Sequence, residues 1–245
     1  MRIDAYFTVP EVDATTTDGA TLVVIDVVRA TTTIIEALAN GARAIFPTAS
    51  TEEAVKLASS LGRDDALLCG ERKGLKIEGF DLGNSPREFT PDVVKDMKLV
   101  MSTTNGTRAF GIGQEAARIL PCSFTNLGAV ASAVAADERV VVVCAGREER
   151  FCIDDALCAG HLIQRIMLRR GQDDRHDDPV LNDAAQAARA IASTREPTRE
   201  FLSTTTGGSD LIEIGMGDDL DICADVDRHD IVAEMTERGI TRATA

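Results

Sequence analysis

The feature that most constrains this chain is a series of short apolar runs, each followed by a stretch of helical character. Thr21-Leu22-Val23-Val24-Ile25-Asp26-Val27 is continuous and rich in β-branched residues, the pattern of a strand buried on both faces. Similar runs stand at Ala44-Ile45-Phe46, Ala66-Leu67-Leu68-Cys69, Lys98-Leu99-Val100-Met101, Ala117-Arg118-Ile119-Leu120 and Val140 to Cys144. Between them, Thr32 to Ala39, Ser50 to Ala58 and Asn126 to Ala136 read as helices. The second opens on N-cap residue types with acids in its first turn. Strands alternating with helices predict an α/β fold, layered α/β/α around a mostly parallel sheet.

The runs also resemble one another. Phe46-Pro47-Thr48 and its helix match Leu120-Pro121-Cys122 and its helix, and Cys69-Gly70-Glu71-Arg72 matches Cys144-Ala145-Gly146-Arg147, about 75 residues on. We read a duplicated unit, with halves at about 22–95 and 98–168, inside a single domain closed by a segment at about 180–245. Related halves would bring equivalent strand ends to one cleft, where such folds bind ligands. In the tail, residues 169–179 read as a polar linker, and Asn182 to Thr194 as an Ala-rich helix capped by Asn182. Ser209 to Gly215 and Asp225 to Gly239 read as short closing elements.

Charge narrows the partners. The 26 Lys and Arg against 40 Asp and Glu leave a formal charge of −14, which argues against nucleic acid and anionic membrane surfaces. Aromatics are only 4%, with no Trp, so base-stacking platforms are not expected. No apolar stretch approaches the ~20 residues of a membrane span. The N-terminus, Met1-Arg2-Ile3-Asp4, has no apolar signal core, and a cytoplasmic protein is expected. The six cysteines form no Cys-x-x-Cys pair and read as small buried hydrophobes. No residue decides the oligomeric state; a homo-oligomer stays open.

The loops after the strands carry the chemistry. Asp26, Arg29 and Thr31-Thr32-Thr33 follow the first strand, and Ser102-Thr103-Thr104-Asn105-Gly106-Thr107-Arg108 follows the fourth. Threonines at a helix start either cap it or offer hydroxyls and amides to an anion. Four arginines, Arg29, Arg72, Arg108 and Arg147, stand at strand ends, where they suit a phosphate, sulfonate or carboxylate, or else surface ion pairs. Carboxylates alternate with them: Asp26, Glu71, Asp81, Asp154 and Asp155. Oxygen ligands beside phosphate oxygens are the usual setting of Mg²⁺. Asp26 stands out, because a lone carboxylate in an apolar run is costly to bury. The dense turn Gly79-Phe80-Asp81-Leu82-Gly83-Asn84-Ser85-Pro86 adds Asp81 and Asn84 as candidate contacts. Gly111-Ile112-Gly113-Gln114-Glu115-Ala116 follows a helix start and is discounted as a dinucleotide fingerprint. His161, His176 and His229 show no ligand spacing, and no Gly-x-Ser-x-Gly elbow exists.

Taken together, these segments resemble the 2-phosphosulfolactate phosphatases. The likeness rests on Val24-Ile25-Asp26-Val27-Val28-Arg29-Ala30-Thr31-Thr32-Thr33, Cys69-Gly70-Glu71-Arg72, Gly79 to Pro86, Thr103 to Ala109, Cys144-Ala145-Gly146 and Asp154-Asp155. Asp218 to Ala224 and Asp227…Asp230-Ile231-Val232 extend it, while Val232-Ala233 stands where Val-Pro is expected. The resemblance implies a Mg²⁺-dependent phosphatase that converts 2-phospho-3-sulfolactate to 3-sulfolactate and phosphate, a step toward coenzyme M. On that reading Asp26, with Asp81 or Asp155, holds Mg²⁺, and Glu71 and Asp154 are further candidate ligands. Arg29 and Arg108 neutralise charge, and the loops at Thr31–Thr33 and Thr103–Thr107 cradle phosphate. Arg72 and Arg147 grip sulfonate and carboxylate, with Asn84 beside them. Two alternatives remain open: a phosphatase for another phosphorylated 2-hydroxy acid, and a non-catalytic anion-binding protein.

Overall fold

The computed structural model describes the chain apart from residues 14, 63, 64, 114, 173–177, 238, 244 and 245 and the side chain of Thr107. His176, Gln114 and the middle of the polar linker therefore lie outside the described residues. The first part of the chain runs β1 (Arg2–Tyr6), β2 (Thr21–Ile25), α1 (Ala30–Ala39), β3 (Ala44–Pro47), α2 (Thr51–Leu61), β4 (Ala66–Arg72), β5 (Leu75–Lys76) and α3 (Pro91–Val94). The middle runs β6 (Lys98–Ser102), α4 (Gly106–Gly111), β7 (Arg118–Cys122), α5 (Leu127–Val134), β8 (Arg139–Cys144) and α6 (Ile153–Gln172). The last part runs β9 (Val180–Leu181), α7 (Asp183–Ala192), α8 (Arg199–Thr204), α9 (Thr206–Glu213), α10 (Asp219–Cys223), β10 (Ala233–Thr236) and β11 (Gly239–Arg242). All six expected strands are present. Two expected caps form as well: Ser50 Oγ accepts from Glu53 N at 3.1 Å, and Asn182 Oδ1 accepts from Ala185 N at 2.9 Å.

The α/β class holds, but the strands divide between two sheets. The first has the order β7-β2-β8-β1-β9 and is parallel throughout. The second has the order β10-β11-β3-β6-β4-β5, with β3, β6 and β4 parallel and the other strands antiparallel at the edges. Strand β2 lies between β7 and β8, and β6 lies between β3 and β4. Each expected half thus places its first strand in the middle of the other half's sheet. The closing segment supplies edges, β9 to the first sheet and the β10–β11 hairpin to the second.

Why two sheets form follows from the apolar faces. Each central strand is apolar on both sides and needs cover on both. Leu22, Val24, Val141 and Val143 of the first sheet share one core with Ile45, Cys69, Leu99 and Met101 of the second. Helices α1 and α4 fill that core with Ile34, Ile35, Leu38 and Phe110. The outer face of the first sheet, including Val23, Ile25 and Val142, packs against Leu127 and Val130 of α5 and Leu162 and Ile166 of α6. The outer face of the second sheet, Leu68 and Val100, packs against Ala54 and Ala58 of α2. Helix α1 is consequently a core element, with nearly every residue buried.

This layering corrects one detail of the repeat. Cys69 faces the central core and Cys144 the outer one. Successive strand residues point to opposite faces, so these two cysteines are out of phase. The β6 and β2 registers instead pair Ala66 with Lys98 and Val140 with Thr21, which shifts the match by one residue. Arg72 and Arg147 are then not equivalent positions.

Candidate active site

Loops from both sheets meet at the C-terminal ends of β2, β4, β6 and β8, the edge where open parallel sheets bind ligands. A cavity of about 450 Å³ lies there. The β2 loop brings Asp26 and Arg29, the β4 end Glu71, Lys73 and Gly74, the β6 loop Thr103, Thr104 and Asn105, and the β8 loop Arg147 and Glu148. Asn84 adds to the floor. The remaining wall is α9, through Gly207, Asp210, Leu211, Glu213 and Ile214. Strand ends can converge this closely because Gly70, at φ 150°, has no side chain; a Cβ there would stand 2.0 Å from Ser102 O.

Asp26 is 8% exposed and caps α1: its Oδ1 accepts from Ala30 N at 3.1 Å. Burial, reinforced by the charges of Glu71 and Asp154, lifts its pKa to about 7. Its Oδ2 faces Gly106, where a Cβ would come within 2.7 Å of it and within 2.5 Å of Ala30 Cβ. Glycine at 106 therefore lets the β6 loop close over Asp26. Asp154 and Asp155 fall in the first turn of α6, both 3% exposed. Burial raises the pKa of each. Asp155 is saturated by structure, with Oδ1 accepting from Val27 N at 2.8 Å and Oδ2 from Gly146 N at 3.2 Å. It ties the β2 and β8 loops together rather than facing a ligand. Asp154 differs: its Oδ1 is buried with no hydrogen-bond partner. Asn84 Oδ1 is a second such atom.

Several expected contacts are corrected. Thr31, Thr32 and Thr33 are fully buried, and their hydroxyls donate to the carbonyls of Asp26, Val27 and Asn84 at 2.8, 2.8 and 2.9 Å. They fasten α1 to the loops and have no hydroxyl left for phosphate. Arg72 turns away from the cavity and donates to Glu71 O, Ser102 O and Ser102 Oγ. Arg108 is exposed, paired with Glu149 at 3.5 Å, and lines a neighbouring cavity of about 390 Å³ that shares Thr104, Asn105 and Glu148. Asp81 is exposed on the turn after β5 and accepts from Leu68 N at 2.8 Å, outside the cavity. Glu71 lines the cavity, but both oxygens are engaged, by Thr104 N and Gly74 N, each at 2.7 Å. Thr107 belongs to α4, and its side chain lies outside the described residues.

The remaining candidates are where chemistry can act. Thr103, Thr104 and Asn105 form a fixed loop, since Glu71 holds Thr104 and Asn105 Oδ1 accepts from Glu148 N at 3.2 Å. Arg147 pairs with Asp210 across the cavity. Arg29 is 3% exposed, donates to Asp219 Oδ2 and Gly74 O, each at 2.7 Å, and so braces the site. Asp219 also accepts from Ser85 Oγ at 2.6 Å. The residues of the candidate site that the sequence did not single out are Lys73, the α9 wall and Asp219 as the partner of Arg29. A signal for α9 existed in Thr205-Thr206-Gly207-Gly208, a threonine cap with two glycines opening a helix. Gly207 and Gly208 let that helix sit against Asp154 Oδ2 and Leu202 O.

Among the described residues no group of three or more His, Cys, Asp or Glu side chains is gathered to hold a metal. None of their helices is long and apolar enough to cross a membrane. Of the five candidate carboxylates, Glu71 and Asp155 have both oxygens bound and Asp81 lies outside the cavity, whereas Asp154 keeps a buried oxygen without a hydrogen bond and Asp26 lines the cavity with its Oδ2 facing Gly106.

The family model for 2-phosphosulpholactate phosphatase matches residues 6–238. A "probable 2-phosphosulfolactate phosphatase" of Clostridium acetobutylicum is 39% identical over 237 residues, covering 96% of this chain and 98% of the relative. A protein of the same name from Clostridium novyi is 36% identical over 243 residues, covering 99% and 100%. One from Pseudothermotoga lettingae is 36% identical over 217 residues, covering 88% and 89%. Matched by the family model over residues 6–238 and by these relatives over most of its length, the chain belongs to the 2-phosphosulpholactate phosphatase family.

Proposed function

We propose that this protein is a phosphoric monoester hydrolase that converts 2-phospho-3-sulfolactate to 3-sulfolactate and phosphate with Mg²⁺, the type of reaction used in coenzyme M biosynthesis. The observation that carries the reading is the charge balance of the cavity. Arg29, Lys73 and Arg147 line it against Asp26, Glu71, Glu148, Asp210 and Glu213. A substrate bearing phosphate, sulfonate and carboxylate cannot enter an acid-rich cavity unless a cation offsets the acids.

The residues fit Mg²⁺, which typically keeps several waters and takes one or two carboxylates. Asp26 and Asp154 would hold it, because both are buried against their charge and each keeps an oxygen outside the local hydrogen bonds. When bound, Mg²⁺ would neutralise and polarise the phosphoryl oxygens. The protein supplies position. The Thr103–Asn105 loop, fixed where Glu71 accepts both the amide and the hydroxyl of Thr104, would set Asn105 beside the phosphoryl group, and Arg147 would offer charge from the opposite wall. Water adds to phosphorus, the bond from phosphorus to the C2 oxygen breaks, and the proton lost by water balances the one gained by the departing alkoxide. Phosphoryl transfer depends mostly on such positioning and charge neutralisation.

Phosphate release from 2-phospho-3-sulfolactate, 2-phospholactate and p-nitrophenyl phosphate, with Mg²⁺ or with EDTA, tests the reading. Efficient release from the sulfonated ester only in Mg²⁺ supports it. Equal efficiency on 2-phospholactate points to another hydroxy acid, and no release from any ester refutes it.

A further inference from the structure

Among the described residues, one cation of the cavity has no protein partner. Arg29 is bound to Asp219 and Arg147 to Asp210. Lys73 lines the same cavity, and among the described residues it makes no ion pair or side-chain hydrogen bond. Its backbone is unusual. Arg72 pairs with Leu75, so Lys73 and Gly74 form a two-residue hairpin turn with φ of 53° and 80°. A turn with both central residues at positive φ favours Asn or Asp followed by Gly, and a lysine in the first place is conformationally disfavoured. Such an outlier is a reason to look for function.

The turn is also held in place. Glu71 accepts from Gly74 N at 2.7 Å, and Arg29 donates to Gly74 O at 2.7 Å. Both peptide groups flanking Gly74 are thus tied to residues of the cavity itself. The hairpin tip is stapled where a flexible surface turn would swing free.

We propose that Lys73 recognises the sulfonate of the substrate, an assignment that rests on the phosphatase reading above. An ammonium is a compact charge with three donors and suits a three-oxygen sulfonate head, whereas a planar guanidinium suits a carboxylate. Arg72, the neighbouring candidate, is spent on Ser102, and the hairpin brings the next residue to the cavity instead.

The test combines kinetics with direct binding, using Lys73→Met, Lys73→Arg and, as a control, Lys76→Met, which lies on the same hairpin outside the cavity. For Lys73→Met, KM for 2-phospho-3-sulfolactate rises about 10- to 100-fold while kcat stays within about threefold, and the constants for 2-phospholactate hardly move. Lys73→Arg recovers part of the loss, and Lys76→Met matches the parent. Calorimetric titration shows 3-sulfolactate binding weakened by a similar factor, with lactate unaffected. Equal losses on both esters, or unchanged 3-sulfolactate binding, overturn the assignment. Should the parent hydrolyse neither ester, the phosphatase reading fails, and the titration still decides whether Lys73 holds a sulfonate.

Discussion

Asp26→Asn is the substitution that most directly separates the energetic role of the site from its chemical one. Asparagine keeps the shape and can still accept from Ala30 N, as Asp26 Oδ1 does at 3.1 Å. What it removes is a buried charge. The native carboxyl titrates at about 7 against 3.8 for the free side chain. Below about pH 4 both folded and unfolded chains hold the proton, and burial carries no penalty. As pH rises toward 7 the unfolded chain ionises first, so folding takes up a proton and stability falls. At about 1.4 kcal/mol per pH unit, the penalty is about 2 kcal/mol at pH 5 and about 4 kcal/mol at pH 8. Asp26→Asn should therefore be more stable than the parent in EDTA, by an amount that grows across this window. Urea unfolding at pH 5 and pH 8 measures it through the midpoint at constant slope. The same variant should lose at least about 100-fold in phosphate release. Mg²⁺ should raise the midpoint of the parent by mass action and that of the variant much less. A stability difference that is the same at both pH values would refute the reasoning, as would a variant that retains full turnover.

Further substitutions probe other supports. Asp219→Ala leaves the buried Arg29 guanidinium and Ser85 hydroxyl without their acceptor and should destabilise the fold by about 3–5 kcal/mol in urea unfolding, whereas Arg29→Met with Asp219→Leu should recover much of the loss. Gly106→Ala drives a methyl into Ala30 Cβ and Asp26 Oδ2; it should cost about 1–3 kcal/mol in the same assay and depress kcat more than it raises KM. Asn182→Ala removes the α7 cap and the two bonds that Asn182 makes to Ala5 N and O, at 3.0 and 2.9 Å. It should lower stability by about 2–3 kcal/mol and leave kcat unchanged, because the Asn182 side chain lies outside the cavity.

What could be read from the residues follows from how local each signal is. The strands β2, β3, β4, β6, β7 and β8 announce themselves as apolar runs, and Ser50 and Asn182 as caps, because neighbours in sequence decide both. Strand β1 was hidden by Arg2 and Asp4, which pair with each other at 2.7 Å while Asp4 is buried at the sheet. The division into two sheets was not legible, since the same apolar run serves either neighbour. Asp26, Glu71, Thr103, Thr104, Asn105 and Arg147 were singled out by their place at strand ends and Asn84 by its dense turn, and all seven line the cavity. The errors come from side-chain direction. Thr31 to Thr33 stand beside the cavity but spend their hydroxyls on the carbonyls of Asp26, Val27 and Asn84, and Arg72 and Lys73 exchange roles because the chain turns into a hairpin after Arg72. Helix α9 becomes a wall only through packing with residues far upstream, which no local pattern records.

The exchange of central strands has a kinetic consequence. Thr21 of β2 pairs with Arg118 and Val140, and Ala44 and Ala66 both await Lys98. During synthesis the most apolar strand of the chain emerges long before either of its neighbours exists; it stays unpaired until β7 is made and keeps an open edge until β8 is complete. Neither half can close its own sheet alone. Loop-closure entropy is therefore met before the long-range pairing rewards it, which makes folding slow and leaves an exposed β-rich segment for that interval. A chain truncated before β8 should collect as aggregate, and a chaperone able to shield Thr21 to Ile25 would act on this stage of folding above all others.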